Sequence, residues 1–96
     1  MTRYLRWTRL AVRRLESICD YIALDNPTAA DRVNARIRSL TETLRAHPAM
    51  GRGGRITGTR ELVLADLPYI SAYRVTETRV EVLAIIHTSQ RWPETF

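Results

Sequence analysis

The chain writes the same apolar spacing twice. Ala11, Leu15, Ile18 and Ile22 recur at intervals of four, three and four, and Val33, Ile37, Leu40 and Leu44 repeat the pattern. That spacing follows the 3.6-residue period, so each stretch predicts a helix with one apolar stripe. Asp25-Asn26-Pro27 separates them. Asn is a good helix cap, and Pro suits a first helical position, where its missing N–H costs no hydrogen bond. The first helix is expected over residues 9 to 24 behind a Thr8 cap, and the second from Pro27 until His47-Pro48 ends it. So short a turn predicts an antiparallel hairpin. Arg13, Arg14, Glu16 and Asp20 lie mostly off the first stripe, and Arg32, Arg36 and Arg38 off the second. Both stripes therefore need a common apolar partner from elsewhere in the chain.

Strands can supply it. Tyr4 to Trp7 reads as a short strand with Leu5 and Trp7 on one face and Tyr4 and Arg6 on the other. After a turn-rich basic loop, Met50 to Arg55, three more follow: Thr59 to Leu64, Tyr69 to Val75 and Arg79 to His87. Ala65-Asp66-Leu67-Pro68 and Thr76-Glu77-Thr78 connect them. The run Val82-Leu83-Ala84-Ile85-Ile86 is continuously apolar, as a central strand covered on both faces requires. The order β-α-α-β-β-β predicts an α+β domain, a helical hairpin packed on a mostly antiparallel sheet. At 96 residues and 45% hydrophobic content, one domain over 1–96 with one modest core is expected.

Several function classes drop out. No run of about 18 apolar residues predicts a membrane span. The opening Met1-Thr2-Arg3-Tyr4-Leu5 has no signal-peptide core, so a cytoplasmic protein is expected. Cys19 is the only cysteine and sits in a helical pattern, most simply as a small packed residue. His47 and His87 are too isolated for zinc, and Gly51 to Arg55 lacks the Lys-Ser/Thr ending of a phosphate-binding loop. No metal or cofactor is expected.

The charge is +5, and every basic residue is Arg. Arginine presents a planar, permanently charged fork that fits phosphate and carboxylate. A surface so basic suits nucleic acid, ribosome or an acidic protein. Arg60, Arg74, His87 and Arg91 stand at strand ends or in the tail, where antiparallel neighbours could gather several of them. Such a group could neutralise phosphate, with His87 as acid or base near neutral pH. The alternative is solvated arginines and a histidine that fastens the tail. Tyr69 and Tyr73 share strand parity; beside arginine they could stack on bases, or they could cap the core.

Taken in order, these pieces resemble the RelE/ParE superfamily of bacterial type II toxins over nearly the whole chain. The resemblance is carried by Leu15 to Ala30, Pro48 to Arg55, Gly58-Thr59-Arg60-Glu61-Leu62, Pro68-Tyr69-Ile70 with Tyr73-Arg74-Val75, and Val82 to His87 followed by Gln90-Arg91. It implies a growth-inhibiting toxin neutralised by a cognate antitoxin with an acidic, amphipathic C-terminal segment. Two mechanisms occur in the family. RelE-type members cut messenger RNA in the ribosomal A site; ParE-type members poison DNA gyrase. The Asp-Asn-Pro junction and the Pro-Tyr-Ile and Tyr-Arg-Val text look ParE-like. The chain has no Lys, and its only aromatics after His87 are Trp92 and Phe96. Thr88-Ser89 departs from the Gly and small residue of many relatives. The reading is therefore a gyrase inhibitor, with Arg52, Arg55, Tyr69, Tyr73 and Trp92 facing partners. The alternative is a ribosome-dependent endonuclease using Arg60, Arg74, His87 and Arg91. A toxin remnant that only binds antitoxin is the third.

Overall fold

The computed structural model describes residues 2–93 and 96. Strand β1 is Tyr4–Trp7, helix α1 is Arg9–Ala23 and helix α2 is Pro27–Glu42. Both helix starts follow local chemistry. The Thr8 hydroxyl accepts from the Ala11 amide at 3.2 Å and the Asn26 carboxamide accepts from the Ala29 amide at 3.0 Å, each meeting a donor that a helix start leaves unpaired. Thr8 also donates from its hydroxyl to the Leu83 carbonyl and from its amide to Val82, which ties the start of α1 to the centre of the sheet. Helix α2 ends earlier than the apolar stripe, giving way to a 3₁₀ turn at Thr43–Arg45. The Thr43 hydroxyl donates to the Leu40 carbonyl at 2.6 Å, a local bond that competes with regular helix. Leu44 nevertheless stays buried.

The remaining strands are β2 (Arg52–Gly53), β3 (Arg60–Val63), β4 (Tyr69–Val75) and β5 (Arg79–His87). They form one sheet in the order β1-β5-β4-β3-β2, parallel between β1 and β5 and antiparallel elsewhere. The α+β reading holds, with one addition: part of the basic loop is the edge strand β2, where Arg52 pairs with Glu61 and Gly53 with Arg60. Asp66, at φ 68°, turns the chain between β3 and β4.

Strand β5 is covered on both sides by different partners. On the helix side, Ala11, Leu15 and Ile37 pack with Leu64, Val82 and Ile85. Leu44, Tyr73 and Val80 extend this layer. On the other side, Ala72, Ala84 and Ile86 lie beneath Leu10, Trp92 and Phe96. Val82 and Ile85 share a face despite their odd spacing because Leu83 is a bulge. Ala72 pairs with Ala84 and Tyr73 with Val82, so Leu83 has no partner of its own. Among the described residues, no helix is long and apolar enough to cross a membrane.

Candidate partner-binding face

The sheet has a helix face and an open face, and strand parity decides which side chains reach the open one. Register places Glu61 beside Ala72 and Arg74 beside Glu81, with Arg6 on the other flank of Glu81. The open face is thus a basic field built around two carboxylates.

Glu61 organises one half. Its side chain is 1% exposed. One oxygen accepts from Arg52 Nη2 at 3.1 Å, the other from the Arg55 backbone amide at 2.8 Å, and Arg55 Nε lies 3.7 Å away. A buried carboxylate needs such compensation. The bonds hold the loop after β2 against β3. The Arg55 guanidinium then lies 4.2 Å from the centre of the Trp92 ring, a cation–π contact that fastens the tail to the loop.

Glu81 organises the other half. It accepts from Arg74 Nε at 3.0 Å and Nη2 at 2.6 Å, while Arg79 Nε stands 3.8 Å off. The Arg74 hydrogen bond holds the Glu81 carboxyl below the usual range; burial opposes this, and the charges of Arg74, Arg79 and Arg6 reinforce it. A depressed folded pKa adds stability above the unfolded value, about 4.3, and loses it as pH falls through the lower folded value. Glu81→Gln is accordingly expected to melt lower than the parent at pH 7 and to converge with it in acid. Thermal melts from pH 7 to 2.5 check this, and parallel curves would contradict it.

Between the loop and the start of α1, a groove of about 500 Å³ opens, lined by Thr8, Leu10, Ile56 to Thr59, Arg74, Leu83 and Phe96. It gives the open face both charge and an apolar recess.

The residues singled out from sequence fall in different places. Arg60 pairs with Tyr73, so its side chain leaves β3 on the helix face, where Nη1 donates to the Gly51 carbonyl at 2.8 Å. Arg74 leaves β4 on the open face. His87 pairs with Tyr69 at the far end of the sheet, five β4 residues from Arg74, or roughly 17 Å. There its Nδ1 accepts from the Ser89 amide at 3.1 Å, fastening the Thr88-Ser89 turn, and its ring meets Tyr69 edge-on at 5.3 Å. Arg91 is exposed in the tail. The register therefore separates Arg60, Arg74 and His87, and Arg91 lies outside the strands.

Of the partner-facing set, Arg52, Arg55 and Trp92 come together through Glu61 and the tail. Tyr69 is half-buried at the other end. Tyr73 is not at the surface: it is 0% exposed, because its position on β4 points it under the loop before β2. Burial pushes its phenol up, opposed by the Gly51 bond and Arg60. Sequence reasoning passed over Glu61 and Glu81, although they are the only acids within β3, β4 and β5. A lone acid one or two residues after an arginine in each of β3 and β5 was the available signal. Among the described residues, no group of His, Cys, Asp and Glu could hold a metal ion.

Comparison with known proteins adds an independent line. A family model described as "ParE toxin of type II toxin-antitoxin system, parDE" matches residues 5–92. A Sinorhizobium fredii protein named "Putative toxin Y4kP" is 52% identical over 90 residues, covering 94% of this chain and 93% of its own. A Caulobacter vibrioides protein named "Toxin RelE2" is 34% identical over 84 residues, covering 88% and 93%. Among solved structures, a chain of a chromosomal ParDE toxin–antitoxin system from P. aeruginosa superposes with a TM-score of 0.81 at 29% identity, covering 90% of this chain and 96% of that one.

Proposed function

The chain belongs to the ParE toxin family of type II toxin–antitoxin systems, and we propose that it arrests growth in the cytoplasm by binding DNA gyrase, through protein contact rather than chemistry of its own. The observation that carries this reading is the dispersal of the candidate nuclease set: Arg60 and Arg74 leave the sheet on opposite faces, and His87 stands at its far end. General acid–base catalysis needs its groups within hydrogen-bond reach of one reacting centre. A preset basic face suits a protein partner.

Membership in such a module implies an antitoxin. An acidic, amphipathic antitoxin segment complements the open face, with carboxylates toward Arg52 and Arg55 and apolar side chains toward Trp92 and the groove. The same residues would serve gyrase binding, so antitoxin and target would compete.

Purified toxin should inhibit supercoiling by gyrase in vitro. Replacing Arg52 and Arg55 together with Glu should weaken inhibition on the order of tenfold or more by reversing the charge of the contact. On induction without antitoxin, DNA synthesis should fall while protein synthesis continues. Early loss of protein synthesis, with supercoiling untouched, would overturn the reading.

The similarity to the protein named "Toxin RelE2" motivates a second reading, a ribosome-dependent endonuclease using Arg60, Arg74, His87 and Arg91. It requires that Arg74→Ala or His87→Ala abolish messenger RNA cleavage in translating extracts. Full cleavage by both variants would sink it.

A further inference from the structure

Four residues on the open face remain unused by either reading as a group. Arg6 on β1 and Arg74 on β4 flank Glu81 on neighbouring strands, and Arg79 precedes Glu81 by two residues along β5. Tyr4 is in register with Arg79 and shares the face of Arg6, and it is 75% exposed. We propose that Arg6, Arg74, Arg79 and Tyr4 form a track that binds the phosphodiester backbone of single-stranded nucleic acid without cleaving it.

The layout sets the ligand class. Two strand spacings separate Arg6 from Arg74, about 10 Å at the backbone, and Arg79 is displaced from Glu81 by about 7 Å along β5. Three charges spread this way fit successive phosphates of a polymer better than one small anion. Glu81 is 13% exposed and lies beneath them, while the side chains of Arg74 and Arg79 are 54% and 44% exposed. The carboxylate thus presets the Arg74 guanidinium, while Arg79 stands 3.8 Å away as a charge neighbour without a hydrogen bond to it. Arg74 spends Nε and one Nη on Glu81. Arg79 Nε is buried and has no hydrogen-bond partner among the described residues. The group carries three positive charges against one negative. An exposed tyrosine beside arginines supplies the stacking surface that unpaired bases use regardless of sequence. A purely carboxylate peptide such as oligoglutamate would match the charge but has no aromatic planes to stack on Tyr4. Cleavage is not part of the proposal, because no histidine lies in the group and Glu81 is held by Arg74. The inference stands independently of gyrase binding, which is read by supercoiling.

The test is fluorescence anisotropy with end-labelled oligo(dT) and oligo(U), each about twelve nucleotides long to span one site, and the full-length protein in low and in moderate salt. Binding should weaken as salt rises. Arg6→Ala and Arg79→Ala should each weaken it roughly five- to tenfold and lower the salt slope by about 0.7. Tyr4→Ala should weaken it about tenfold. Arg32→Ala, on the far side of the hairpin, should leave it unchanged. Tyr4, Arg6 and Arg32 are exposed and Arg79 is half-buried, and unchanged far-UV circular dichroism verifies the fold of each variant. Equal binding of both oligonucleotides assigns recognition to the phosphates; preference for one identifies the source through the 2′-hydroxyl. The proposal is overturned if neither binds, if Arg6→Ala and Arg79→Ala bind like the parent, if Arg32→Ala weakens binding equally, or if an oligoglutamate peptide of matched charge binds more tightly than either oligonucleotide.

Discussion

Tyr73→Phe is expected to destabilise the protein by about 2–3 kcal/mol, although it removes a single oxygen. The Tyr73 hydroxyl donates to the Pro48 carbonyl at 2.7 Å and accepts from the Gly51 amide at 2.9 Å. Phenylalanine keeps the ring packed with Leu44 and Val80 but strands both backbone groups. Gly51 is buried, so water cannot take over its amide without opening the loop. At this chain length such a loss lowers the melting temperature by roughly 10–20 °C. The damage should also be directional. The 48–51 loop feeds β2, which carries Arg52 to Glu61, so the Gly51 and Arg55 amides should exchange hydrogen much faster than those of α1. Tyr69→Phe is the control, since its hydroxyl makes no protein hydrogen bond among the described residues, and its melt should hardly move. If Tyr73→Phe melts within about 2 °C of the parent, well inside that expected shift, the hydroxyl does not anchor this loop.

That anchor marks where the fold stopped being legible. The helical hairpin could be read because Ala11 to Ile22 and Val33 to Leu44 repeat one period, and Asn26-Pro27 punctuates them with known stereochemistry. The central position of Val82 to Ile86 could be read because only burial on both faces suits an unbroken apolar run. Strand β2 could not: Arg52-Gly53 has no strand propensity and pairs only because Glu61 and Tyr73 hold the loop from elsewhere in the chain. The bulge at Leu83 could not either, because an unbroken apolar run hides which residue is extra. The site suffered from the same blindness. Proximity of Arg60 and Arg74 follows from antiparallel pairing, but their opposite faces follow from register, and register is set by long-range pairs. Arginines were visible as a surplus of charge. Glu61 and Glu81 stood out as lone strand acids, but which arginines they hold followed only once the strands were laid side by side.

Trp92→Ala should cost about 2–3 kcal/mol and, unlike Tyr73→Phe, should expose the other face of the sheet. Helices cover one side of β4 and β5; on the other, Ala72, Ala84 and Ile86 are buried by Leu10, Trp92 and Phe96. Trp92 is the hub of that cover, with the Arg55 guanidinium at 4.2 Å and the Phe96 ring edge-on at 6.4 Å. Truncation removes the cation–π contact, frees Arg55 and leaves small apolar side chains facing water. The variant should bind a hydrophobic dye and lose its tail to limited proteolysis while its helix signal persists. Trp92→Phe separates ring from polar group. The indole N–H is buried without a hydrogen-bond partner among the described residues, so phenylalanine gives up ring area but also removes a costly donor. It should retain most of the stability that alanine loses. Equal losses for the two variants would mean that the indole N–H is satisfied in solution and that the tail is held by more than its rings.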